Sequence, residues 1–130
     1  MDPVVHFEMP YDDRQRMTGF YRKVFGWETQ FLGDQYGNYV TAMTAESDHR
    51  GPKKAGVING GFYERKADCP AQHPSIVIAV QDIGAAMESI RAAGGKVLGD
   101  PMSIPGVGDY VSFIDTEGNR VSVLQPLPRD

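Results

Sequence analysis

Two side chains near the start of the chain stand where chemistry could be done. In VVHFEM, at 4–9, Val5, Phe7 and Met9 alternate with Val4, His6 and Glu8. Alternation of period two marks a strand with unlike faces. One face is then apolar, and the other presents His6 and Glu8 together. An imidazole and a carboxylate so placed can anchor the polar group of a ligand or contribute to a metal cage. A catalytic divalent ion asks for three or four donors of this kind plus an open position, and the remaining candidates are scattered. His49 lies between Asp48 and Arg50 in a polar stretch, and His73 lies in a segment with two prolines. Cys69 has no visible base beside it to make it a nucleophile. Pro105-Gly106-Val107-Gly108 does not cradle a phosphate, since no helix follows it.

The strand that carries His6 and Glu8 is followed by a turn and a helix. Asp12 with Gln15 forms a capping-box pattern. Met17, Phe20, Tyr21 and Val24 recur at i, i+3, i+4 and i+7, which predicts one buried helix face, and Gly26 is a natural left-handed stop. The same unit recurs at 75–96. There Ile76, Ile78 and Val80 alternate, Asp82 caps, and Ile83, Ala86, Met87 and Ile90 share a helix face. Asp13 and Asp82 stand 69 residues apart, and the same offset takes Gly26 to Gly95, Tyr21 to Ile90 and His6 to Ser75. A repeat of this length decides the fold.

The intervening segments complete the two copies. Strands are predicted at 28–32 and 38–43, joined by a glycine-bounded turn at 33–37. A polar surface loop is predicted at 44–54, and a further strand at 57–63. Gly60-Gly61 in that strand marks a bulge or a close approach by a ligand or another backbone. The segment 64–74 reads as a linker. In the second copy a short strand at 96–98, a loop at 101–108, a strand at 109–114, a turn at 115–119 and a closing strand at 120–125 follow the helix. Tyr110-Val111-Ser112 aligns with Tyr39-Val40-Thr41. The fold class is therefore α+β: a single domain, 1–130, of two tandem β-α-β-β-β modules at 1–66 and 73–130. Laid side by side, the modules are predicted to form one curved mixed sheet with the helices outside and a cleft on the other side. One module alone would leave an exposed sheet edge.

The totals narrow the partners. The chain has 130 residues, 41% of them hydrophobic and 23% charged, with a formal net charge of −4. That balance argues against nucleic acid or an anionic membrane surface as partner. No apolar run approaches the roughly 20 residues of a membrane span. The first residues lack the pattern of a secretory signal, and the single cysteine, Cys69, cannot form an internal disulfide. A reducing cytoplasm is the expected compartment.

VVHFEMPYDD…FYRKVFGW, IVIAVQDIGAAMESIRAAGGKVL and PMSIPGVGDYVSFIDTEGNRVSVLQP together resemble the vicinal oxygen chelate superfamily. That group includes glyoxalase I, bleomycin-resistance proteins and extradiol dioxygenases. The nearest likeness is to small bacterial proteins related to lactoylglutathione lyase. The resemblance covers nearly the whole chain and implies the glyoxalase-like fold of paired modules and a homodimer. Its metal enzymes place one ligand on the first strand and one on the last strand of each module. Those places fall here on His6, Asn59 or its neighbour Gly60, Ser75 and Ser122. His6 stands 14 residues before Phe20 of the FY pair, and Ser122 four residues after the turn glycine Gly118.

Of these four places only His6 carries a good metal donor, because hydroxyls and amides are weak neutral ligands. The expected function is accordingly a small-molecule binder without a metal or other cofactor. It would hold a partly apolar ligand in the cleft through His6, Glu8, Asn59, Gly60, Ser75, Tyr110 and Ser122. The alternative is a lyase, isomerase or dioxygenase dependent on a divalent metal, with an altered ligand set. His6, Glu8 and His73 would form that set if the strand at Ser75 extended back to His73. Whether the protein is an enzyme stays open at this level.

Overall fold

The structure, a computed structural model, describes residues 1–128; the last two positions of the expected second module, 129 and 130, lie outside the described residues. The elements in chain order are β1 (Val4–Tyr11), α1 (Arg14–Phe25), β2 (Glu28–Phe31), a 3-10 turn (Asp34–Tyr36), β3 (Val40–Met43), β4 (Ser47–Asp48), β5 (Gly51–Pro52) and β6 (Asn59–Glu64). They continue with β7 (Ser75–Ala79), α2 (Ile83–Ala92), β8 (Lys96–Ile104), β9 (Gly108–Ile114) and β10 (Arg120–Pro126). Among the described residues no helix is long and apolar enough to cross a membrane.

The chain divides into two compact units, His6–Pro74 and Ser75–Pro128, the latter joined by Met1–Val5. In the first, β2 pairs antiparallel with β3, β3 antiparallel with β6, and β6 parallel with β1. In the second, β8 pairs antiparallel with β9, β9 antiparallel with β10, and β10 parallel with β7. Each unit is thus a mixed four-stranded sheet in which the first and last strands of a β-α-β-β-β module lie together. The repeat read from the sequence is real. The second unit also takes in the start of the chain, where Ala79 N–H donates to the Pro3 carbonyl over 2.9 Å.

One face of each sheet is covered by its helix. Tyr11, Val40, Ala42 and Phe62 form the first core, with Phe7, Met9, Met17, Tyr21 and Trp27 packed against it. Tyr21 stacks on Trp27 with ring centroids 4.7 Å apart. The second core is Val80, Ile83, Met87, Val111 and Val123, with Ile78, Ile90 and Phe113 against it. Both helices start alike. Asp13 accepts from the Arg16 N–H and Asp82 from the Ala85 N–H, each over 3.0 Å.

Several local expectations need correction. The α1 cap is Asp13, not Asp12, whose carboxylate instead meets Arg65 Nε at 3.0 Å. Of the expected helix face, Met17 and Tyr21 reach the core, but Phe20 is 55% and Val24 54% exposed. The stripe that meets the sheet includes Thr18, the one buried residue of α1. The helix stops also differ. Gly26 is left-handed at φ 73°, whereas in the second unit Gly94, at φ 97°, takes that conformation and not Gly95. The reason is length: α1 has 12 residues and α2 has 10. Gly95 is a packing position, since a Cβ there would lie 2.7 Å from Ile90 Cγ2. The predicted loop at 44–54 contains the short β4–β5 ladder. The loop at 101–108 is mostly strand: β8 runs on to Ile104 through an irregularity between Leu98 and Met102, where Pro101 needs no ladder partner.

Candidate functional site

The polar face of the first unit follows from strand alternation. Phe7, Met9 and Tyr11 turn toward α1, so His6 and Glu8 take the opposite face of β1. By the same reasoning Phe62 places Asn59, Gly61 and Tyr63 on that opposite face, and Val40 and Ala42 place Thr41 there. His6 stands across from Asn59, Glu8 across from Gly61, and Thr41 across from Gly61 on the other side. Glu8 is only 3% exposed, and its Oε2 accepts a hydrogen bond from the Tyr39 hydroxyl over 2.8 Å. A buried carboxyl group needs such a partner, because a polar group taken out of water without a hydrogen bond is costly.

Gly61 makes that bond sterically possible. A Cβ at this position would overlap the phenol ring and hydroxyl of Tyr39. Gly60 looks the other way, toward the helix side, where a Cβ would meet the Phe7 ring at 2.6 Å. The register runs without interruption from His6–Asn59 to Tyr11–Glu64. The Gly-Gly pair is therefore a place of close approach on both faces and not a bulge, and Gly60 is not on the polar face.

His6 and Asn59 are neighbours with different duties. Asn59 is committed: its Oδ1 accepts from the Thr44 N–H at 2.9 Å and its Nδ2 donates to Ser47 Oγ at 2.8 Å. It ties the base of the β4–β5 ladder to β6. The His6 imidazole is half-buried and makes no hydrogen bond to a described residue. Burial pulls its pKa below the ordinary 6.5. The ring is then neutral at pH 7, with one N–H to donate and one nitrogen to accept.

In the second unit Val111 and Val123 point to the helix side, so Tyr110, Ser112 and Ser122 lie on the opposite face with Val77. Ser122 is 1% exposed and its hydroxyl lies 2.9 Å from that of Ser112. Tyr110 stands across from Leu124, and Ser75 opens β7, half-buried. The 69-residue offset takes Glu8 to Val77, and Val77 stands across from Ser122. Glu8 stands across from Gly61. Gly61 is therefore the counterpart of Ser122, and neither Asn59 nor Gly60 holds that place. The register, which a single sequence does not display, decides this. Tyr39 and Gly61 are the two residues that sequence reasoning left out of the site, although the Tyr39–Tyr110 alignment and the Gly-Gly pair pointed at both.

These residues do not fit a divalent ion. Among the described residues no three His, Cys, Asp or Glu side chains are grouped to hold a metal. The alternative set of His6, Glu8 and His73 is not assembled: His73 is exposed, and its carbonyl accepts from the Tyr63 hydroxyl at 3.4 Å. Asn59 is held by its own loop, the Ser112 and Ser122 hydroxyls lie within hydrogen-bond distance of each other, and Gly61 offers no donor. A cage of hard or borderline donors cannot be built from this set.

The sequence profile of the Glyoxalase/Bleomycin resistance protein/Dioxygenase superfamily matches residues 4–123. The chain belongs to this superfamily. Its relatives in the superfamily include a glyoxylase-like domain-containing protein of Didymella fabae, 30% identical over 119 residues, which cover 89% of this chain and 88% of that one. CFP32 of Mycobacterium tuberculosis, named for a glyoxylase, is 32% identical over 87 residues, 67% of this chain and 33% of CFP32. The matched part thus spans a third of that relative's length. Solved structures of superfamily type share the fold. Methylmalonyl-CoA epimerase of Streptomyces coelicolor aligns at a TM-score of 0.67 with 19% identity, over 98% of this chain and 96% of that one. A superfamily member from Vibrio splendidus 12B01 aligns at 0.57 with 12% identity, over 96% and 99%.

Proposed function

We propose that this superfamily member binds a small, partly apolar organic molecule on its polar strand face without using a metal. The observation that carries the reading is His6. It is a neutral, half-buried imidazole with no protein hydrogen-bond partner among the described residues. Two residues along the same strand face stands the buried carboxyl group of Glu8, which accepts from the Tyr39 hydroxyl. A half-desolvated ring with unused donor and acceptor capacity gains when a ligand's polar group reaches it. The phenol rings of Tyr39 and Tyr63 lie on the same face and are buried there. A divalent-metal-dependent lyase, isomerase or dioxygenase is disfavoured by the donor set.

Three measurements test this. Elemental analysis of protein purified without chelator is expected to show far less than one equivalent of transition metal. A stoichiometric metal lost on His6→Ala would overturn the proposal. Thermal-shift screening against small aromatic and heterocyclic compounds is expected to give hits that vanish in the same variant. Turnover of the methylglyoxal–glutathione adduct is expected to be absent.

A further inference from the structure

We infer that Tyr39 is a built-in occupant of the space in front of position 61, and that its ring makes the His6–Glu8 face a seat for an organic polar group and not for a divalent cation. This rests on the metal-independent reading and says which residue enforces it.

Gly61 is the first-unit counterpart of Ser122, the last-strand position where the superfamily resemblance places a metal donor. Any side chain at 61 would have to pass through the Tyr39 phenol. Tyr39 is fixed. It is buried, its N–H donates to the Tyr36 carbonyl at 3.3 Å, and its own carbonyl accepts from Leu32 N–H at 2.9 Å. Its hydroxyl is spent on Glu8, so the Glu8 oxygen nearest the ring already accepts a proton donor. Ion coordination there would require expelling a buried ring and breaking the buried Tyr39–Glu8 hydrogen bond. A neutral ligand reaching His6 requires neither. In the second unit the counterpart of Glu8 is Val77, an apolar residue that offers no donor to an ion.

Cobalt(II) titration followed by absorption and calorimetry tests the assignment. The natural chain and Gly61→Glu are expected to bind the ion weakly or not at all. Tyr39→Ala/Gly61→Glu, which vacates the space and places a carboxylate beside His6 and Glu8, is expected to bind roughly tenfold tighter or more, the scale on which coordination changes move metal affinity. His6→Ala in that background should abolish the gain. Tight binding by Gly61→Glu alone, or none by a folded double variant, would overturn the role of Tyr39 while leaving the metal-free reading intact. Stoichiometric, His6-dependent binding by the natural chain would sink both. If the double variant does not fold, a stability cycle decides. Gly61→Ala is expected to lower the melting temperature by roughly 3 °C or more with Tyr39 present, and much less in Tyr39→Ala. Equal losses in the two backgrounds would place the ring elsewhere and overturn the inference.

Discussion

The hydroxyl of Tyr39 donates to the buried carboxylate of Glu8 across 2.8 Å, and it reaches there over a residue with no side chain, Gly61. Three strands meet in this arrangement: Glu8 on β1, Gly61 on β6, and Tyr39 just before β3. Removing the donor leaves a buried carboxyl oxygen without this hydrogen bond. Tyr39→Phe is expected to destabilise the fold by about 1–3 kcal/mol, measured as a lowered urea midpoint with unchanged slope. A stability equal to the parent's would mean that this hydrogen bond is not formed in solution.

His6 gives a pH signature. Its folded pKa lies below the ordinary 6.5 because burial disfavours the charged ring. The unfolded chain therefore binds more protons than the folded one as the pH falls through that value. Stability is complete above about 6.5 and declines below it, down to the folded pKa. His6→Gln is expected to flatten this part of the profile, seen by comparing urea unfolding at about pH 5.5 and about pH 7.5. An unchanged slope in the variant would show that His6 is not desolvated.

Asn59 holds the β4–β5 ladder through Thr44 and Ser47. Asn59→Ala removes two hydrogen bonds at the start of β6, at a cost of roughly 1–3 kcal/mol. Amide exchange should accelerate at Thr44 and along 47–51, while the α2 amides keep their protection relative to global unfolding. Uniform acceleration would indicate that the ladder and the sheet open as one unit.

Adjacent aspartates before α1 have different tasks. Asp13 caps the helix, and Asp12 makes an exposed ion pair with Arg65. Asp13→Ala is expected to cost about 0.5–2 kcal/mol and Asp12→Ala no more than about 1 kcal/mol. Only the second effect should shrink appreciably in high salt. The opposite ranking would move the cap back to Asp12.

The sequence alone determined the doubled β-α-β-β-β plan, because each copy carries its own strand alternation, aspartate cap and helix periodicity, all of which are local. It also determined that His6 and Glu8 share a strand face, since period two needs no partner. It could not tell which of Asn59, Gly60 and Gly61 matches Ser122. Register between strands is set by packing across the sheet, and a one-residue slip moves a side chain to the other face. Nor could it place Phe20 and Val24 outside the core, since a helix of fixed periodicity can rotate several ways until Thr18, Met17 and Tyr21 find the sheet. Tyr39 became part of the site only in three dimensions. A phenol 31 residues from Glu8 reaches it because the chain folds β3 beside β6, β6 beside β1, and leaves at Gly61 the room that any Cβ would have taken.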